Sequence, residues 1–241
     1  MVKYVRDTTG RFSQRPHYEP AELDRECEAI ITKFLKEKYG KVVFPVTTDD
    51  LTVLIERDVD DFDPYADLSI YGNEVEGVTE FYPGRKPHVK ISGDLANDDR
   101  RENRLRTTLT HEYGHVRFHA YLWDVEPPAP DLLRQNRNAN KQICKRDTIL
   151  NAAQYDWMEW QAGYACGALL MPASHLRRLV GDYQQANGLF GVIGERGEHG
   201  QALIAKVQQE FQVSADAARV RLSTLKVLGP ADAGPSLFSV K

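Results

Sequence analysis

The chain has 241 residues, 41% of them hydrophobic and 27% charged. That composition suits a globular protein of one large or two small domains, and it excludes a disordered chain, a membrane-spanning one and a mini-protein held together by disulfide staples. Lys and Arg number 31 against 35 Asp and Glu, a formal net charge of -4, so the positive field of a phosphate-backbone binder is lacking and nucleic acid is not an expected partner.

Cys27, Cys144 and Cys166 are an odd and widely spaced set, unsuited to a disulfide framework, and Cys27 and Cys166 read as small core residues. The first thirty residues hold no apolar run of about 7–15 residues with a small-residue cleavage site, and no later stretch reaches about 18 uninterrupted apolar residues. A cytoplasmic protein without membrane contact is expected.

Along the chain, residues 1–20 mix Lys3, Arg6, Arg11 and Arg15 with Thr, Gly, Ser and Pro, and read as a flexible arm. From Ala21 to Lys38, Leu23, Cys27, Ile30, Ile31 and Phe34 recur at helical spacing, with acids early and lysines late. KVVFPV reads as a short strand, and TTDDLTVLIERD opens on capping residues ahead of a second helix. DLSIYG, EGVTEFYPG and KPHVKIS, separated by turn residues, predict a small antiparallel sheet.

After Asp94, NDDRRENRLRTTLTHEYGHVRFHAYLWD predicts a long helix, which Pro127, Pro128 and Pro130 end. Residues 134–146 carry five basic side chains and no acid. Such a run is most simply a solvated surface; a flap over a site or a dock for an acidic substrate are the alternatives. A further helix is expected from about Thr148 to Leu170, followed by two shorter helical patterns and a Gly-rich break from Gly188 to Gly200. QALIAKVQQEFQVSADAARVRLSTLKVL then reads as helix, turn, helix, and the tail as frayed. Arg219, Arg221 and Lys226 there give a DNA-reading look, but Val213, Ala217, Val220 and Leu222 are needed for a core, which favours packing. The expected organisation is an arm over 1–20, an α+β domain over 21–187 and a C-terminal helical segment with its tail over 188–241.

The sharpest chemical signal is H-E-Y-G-H, with His111, Glu112 and His115 inside the long helix. At about 100° per residue, His115 lies about 40° and Glu112 about 100° from His111, so one metal ion meets both imidazoles with a carboxylate beside it. Leu105, Leu109, Val116 and Ala120 form an apolar stripe on the Glu112 side. A catalytic zinc site needs a third protein ligand and an open position. His119 sits about 12 Å along the axis from His111, too far to share an ion held at about 2.1 Å, and is expected to back the site or pack. Tyr121 stands where a third histidine would follow in a longer metalloprotease pattern. Glu159 is the favoured ligand, because Ala162, Gly163 and Cys166 beside it let two helices approach closely; Asp124, Glu126 and Cys144 are its rivals.

RENRLRTTLTHEYGHVRFH followed by EWQAGYACGALLMP resembles the ImmA/IrrE family of zinc metallopeptidases, whose pattern pairs H-E-x-x-H with a downstream E-x-x-A-N-x-F-A-x-x-L-L-M-P helix. The likeness runs over roughly Glu76 to Leu179, with Gly163, Ala165 and Cys166 where the pattern has Asn, Phe and Ala. It implies a zincin-like fold, Zn2+ held by His111, His115 and Glu159, and Glu112 as general base. It further implies a protein substrate, a helix-turn-helix repressor. The expected function is that of a zinc endopeptidase acting on such a regulator, with substrate extended along an edge of the sheet. The alternative is a non-catalytic partner that sequesters a repressor or toxin, against which the intact Glu112 speaks. A Cys144 thiolate latching the open metal position is a further, weaker expectation. The oligomeric state is left open.

Overall fold

The computed structural model describes residues 2–125, 141–145 (backbone) and 156–230. In chain order it contains a hairpin of β1 (Lys3–Arg6) and β2 (Gln14–His17), helices α1 (Pro20–Tyr39) and α2 (Thr48–Asp58), and strands β3 (Asp61–Ala66), β4 (Val75–Glu80) and β5 (His88–Ser92). Next come α3 (Gly93–Ala96), α4 (Glu102–His119), α5 (Leu122–Val125) and strand β6 (Lys141–Lys145). The chain continues through α6 (Trp157–Leu170), α7 (Ala173–Asn187), β7 (Ile193–Gly194), α8 (Glu198–Phe211), α9 (Ala215–Thr224) and β8 (Leu228–Gly229). The architecture is α+β, with small sheets packed against a helix-rich body. Among the described residues no helix is long and apolar enough to cross a membrane.

Local chemistry sets the helix ends. The Glu22 side chain accepts from the Glu19 amide at the start of α1, and Gly40, at φ 71°, closes its C-terminus by donating to the Lys36 carbonyl. Thr47 and Asp50 cap α2 reciprocally, at 3.1 Å each way, and Asp50 also accepts from Lys38 and Tyr39. One core unites Leu23, Ile31 and Leu35 of α1, Leu51 and Ile55 of α2, Leu109 of α4, Leu169 of α6, and Leu203 and Leu222 of α8 and α9. Arg106 on α4 is fully buried and donates to the carbonyls of Val46, Phe211 and Gln212. A cation at the α8 C-terminus meets the helix dipole and satisfies carbonyls that the helix leaves unpaired.

The four-stranded sheet has the order β3-β5-β4-β6, with β4 antiparallel to β5 and β6 and β3 parallel to β5. It is therefore mixed, not antiparallel as expected. DLSIYG forms a 3-10 turn over Ser69–Tyr71, and the strand lies earlier, over Asp61–Ala66, disguised by its Asp residues and Pro64. Those residue types are tolerated because β3 is an edge strand. KVVFPV forms no strand; its carbonyl at Val46 is taken by Arg106 instead of a sheet partner.

Three further expectations change. The Asp156 side chain caps α6 from extended backbone, so no helix runs unbroken from Thr148; residues 146–155 lie outside the described residues. The two helical patterns after Pro172 are one helix, α7. The expected arm is an ordered hairpin: Asp7 accepts from the Thr9 and Phe12 amides and from the Trp157 indole, and Phe12 is buried edge-on against Trp123 and Trp157. Burying a phenylalanine to this degree is worth about 3–5 kcal/mol against alanine, enough to hold a short hairpin down.

Candidate metal centre

Helix α4 is the central helix, with every residue from Arg106 to Val116 buried. Of the expected apolar stripe, Leu109 and Val116 lie in this buried stretch, while Leu105 and Ala120 at its ends are partly buried. Gly114 explains how α6 comes so near: a Cβ there would lie 3.0 Å from the Ala162 Cα and 3.2 Å from its carbonyl oxygen. A glycine facing an alanine brings the two backbones close enough for a short carboxylate on α6 to reach histidines on α4.

That carboxylate is Glu159. Nε2 of His111 and Nε2 of His115 are 3.1 Å apart. Glu159 places Oε2 at 3.2 Å from the first and Oε1 at 3.3 Å from the second. Four donors arranged tetrahedrally about an ion at about 2.1 Å are about 3.4 Å from one another. Each imidazole faces a different oxygen of the carboxylate, and one ligand atom from each of the three residues lies within 4.8 Å of the others, so the groups converge closely enough to share one ion. Both imidazoles are fully buried and the Glu159 side chain is 15% exposed.

Hydrogen bonding within the cluster does not account for its polar atoms. Despite its nearness to His111, Glu159 Oε2 has no aligned hydrogen-bond partner among the described residues, nor has Glu112 Oε1. A proton shared between two imidazole nitrogens would leave that carboxylate oxygen unanswered; a divalent cation answers all three donors. Two neutral imidazoles and one carboxylate are the donor set of a catalytic zinc site. The residues present fit that ion.

Charge follows the geometry. Burial alone would raise the Glu159 carboxyl, but the neighbouring His115 and His111 outweigh it and hold the group well below the usual carboxylate range. Burial disfavours a charged His115, yet Glu159 prevails and raises it. Glu112 is pushed up by burial, which His111, His115 and the Thr79 hydroxyl offset only in part. A carboxyl lifted in this way is a better proton acceptor near neutral pH than an exposed one.

Glu112 lies beyond the ligand cluster, against β4. The Thr79 hydroxyl donates to its Oε2 at 2.6 Å, and a Cβ on Gly77 would lie 2.5 Å from its Oε1. Residues two apart on a strand share a face, so Gly77 supplies the room and Thr79 the tether. Glu76, one residue before Gly77, is bound by Arg101 and Arg104, which ties β4 to the start of α4.

The structure thus brings together His111, His115 and Glu159 and sets Glu112 beside them. Among the rival ligands, Asp124 is turned away and accepts from the Gly84 amide at 2.7 Å. Glu126 lies outside the described residues. Cys144 is described only in its backbone, as the register partner of Gly77 on β6, so the latch lies outside the described side chains. The same holds for most of the basic stretch 134–146. His119 is no ligand: its Nδ1 lies 3.0 Å from Nδ1 of His115, and its Nε2 lies 3.0 Å from Gln161 Oε1. The Tyr121 hydroxyl pairs with that of Tyr4. Arg221, considered above as a DNA contact, is buried against Asp24 and the Met171 carbonyl.

Sequence reasoning missed Gly77, Thr79 and Gln161. For Gln161 a signal existed, an amide on a helix whose other residues, Glu159 apart, are small, aromatic or apolar. Comparison with models of known protein families gives no match, and comparison with curated proteins gives none.

Proposed function

We propose that this chain is a zinc-dependent endopeptidase that cleaves a protein regulator, of the helix-turn-helix repressor class. The observation that carries the hydrolytic part is the convergence of His111, His115 and Glu159 in one buried cluster, with Glu112 one residue from the first ligand. The substrate class rests on the motif resemblance alone.

When bound, the ion supplies Lewis acidity toward water and a peptide carbonyl. His111, His115 and Glu159 would hold it. Glu112 Oε1, which has no partner among the described residues, accepts the proton of the attacking water. The Thr79 hydroxyl occupies Oε2, which leaves Oε1 for that transfer. Glu112 then returns the proton to the leaving amine, for which the same oxygen serves. Its burial favours this shuttling, since a raised carboxyl holds a transferred proton more readily than an exposed one.

The test is to quantify zinc in the purified protein and incubate it with the helix-turn-helix protein encoded beside its gene. Wild type is expected to cleave and Glu112→Gln to bind zinc equally but cleave at least about 100-fold more slowly. Cleavage by both, or by neither with zinc bound, would transfer the assignment to a non-catalytic binding partner.

A further inference from the structure

Behind His115 runs a line of buried polar groups that crosses from α4 through α6 to the N-terminal hairpin. His115 Nδ1 faces His119 Nδ1 at 3.0 Å, His119 Nε2 faces Gln161 Oε1 at 3.0 Å, and Gln161 Nε2 donates to the Pro16 carbonyl at 2.9 Å. His115 and His119 are 0% exposed and Gln161 1%. No water-filled surface is available to correct a mismatched proton, so each link must pair a donor with an acceptor.

The Pro16 carbonyl decides the whole order. A carbonyl only accepts, so the amide nitrogen of Gln161 must face it, which turns Oε1 toward His119. Oε1 only accepts, so His119 must carry its proton on Nε2. A neutral imidazole has one proton, so His119 Nδ1 is bare and accepts, and His115 must donate from its own Nδ1. In the neutral ring that binds a metal, the remaining nitrogen of His115, Nε2, is then left with its lone pair, and it is this atom that stands 3.1 Å from His111 Nε2 and 3.3 Å from Glu159. Trp157 stands edge-on to His119 at 5.5 Å and is itself held by Asp7 of the hairpin, so the ring of His119 is fixed on that side as well.

We propose that His119 and Gln161 are positioning residues for the metal centre, and that the hairpin carbonyl of Pro16 sets through them the tautomer and ring orientation in which His115 offers Nε2 to the ion. The inference rests on the zinc reading above. It makes the β1–β2 hairpin a working part of the site and gives His119 a task that ligation does not.

The experiment measures zinc affinity by competition with a chromophoric chelator, on the full chain. His119→Leu removes the acceptor for His115 at similar bulk and is expected to weaken zinc about 10- to 100-fold. His119→Asn, whose side-chain oxygen takes the place of Nδ1, restores affinity to within about threefold of wild type. Gln161→Leu frees His119 to change tautomer and falls between the two. Asp50→Asn, which breaks the α2 cap and the Lys38 pair, controls for general loss of stability and leaves zinc affinity unchanged. Nitrogen-15 histidine spectra of the zinc-loaded wild type are expected to place the His115 proton on Nδ1. Should His119→Leu fail to fold, the Gln161→Leu and His119→Asn affinities and the wild-type spectrum still decide. Wild-type affinity in both leucine variants, or a His115 proton on Nε2, overturns the positioning role alone. A wild type that does not take up zinc overturns the zinc reading and this inference with it.

Discussion

Gly77→Ala isolates the base from the ligands. The added Cβ would lie 2.5 Å from Glu112 Oε1, 2.8 Å from Cδ and 2.9 Å from Cγ. Ordinary contact begins at about 3.4 Å between such atoms, so the carboxylate must retreat by roughly 0.9 Å or the strand must yield. Retreat strains the 2.6 Å bond from Thr79, a charge-assisted contact worth about 1.5–3 kcal/mol. Misplacement of a reacting group by about 1 Å costs on the order of 100-fold in rate. The three atoms nearest that Cβ all belong to Glu112 and none to a ligand, so zinc affinity is expected to stay within about threefold while turnover falls about 100-fold. The assay follows cleavage of a quenched fluorescent peptide that wild type hydrolyses, with chelator competition and thermal unfolding run alongside. Turnover equal to wild type in a folded, zinc-replete Gly77→Ala protein would refute the placement of Glu112 as base.

Three other outcomes are expected. Zinc at about 100 times its dissociation constant should stabilise the fold by about 2.7 kcal/mol, a rise in melting temperature of roughly 5–11 °C. The rise should vanish in Glu159→Ala, and an unchanged wild-type melting curve would contradict metal binding. Arg106→Met strips the donor from three carbonyls, and at about 1–3 kcal/mol for each it should lower stability by at least about 3 kcal/mol, read in urea unfolding. For Asp7, burial would raise the carboxyl, but bonds from Thr9, Phe12 and Trp157 prevail and hold its folded pKa below the ordinary value. Its contribution is therefore complete above the unfolded value of about 3.9 and disappears as pH falls through the lower folded one. Asp7→Asn should melt below wild type at pH 7, with the gap closing in acid; a gap that widens there would contradict the assignment.

Helices were legible where their periodicity is local. α1 and α2 lie within a residue or two of expectation, and α8 and α9 follow the helix–turn–helix reading. Strands β4 and β5 carry β-branched residues between turn signals and were legible too. β3 was not, because Asp61, Asp63 and Pro64 are poor strand formers that only an edge position beside β5 permits. The hairpin was hidden for a related reason: its polar composition cannot bury much by itself, and it is held by Phe12 and Asp7 reaching a distant tryptophan.

The order of residues along the chain determined the chemistry available: two imidazoles one helical turn apart, a carboxylate between them, and a second carboxylate on a helix of small residues. Helical rise and twist are properties of neighbouring residues, so these relations survive without knowledge of the fold. Only packing decided which oxygen of Glu112 is tethered and which nitrogen of His115 is left bare. Thr79 is 33 residues from Glu112 and Pro16 is 145 from Gln161. Contacts over such separations depend on strand register and on how closely one helix lies against another, and no local pattern encodes either.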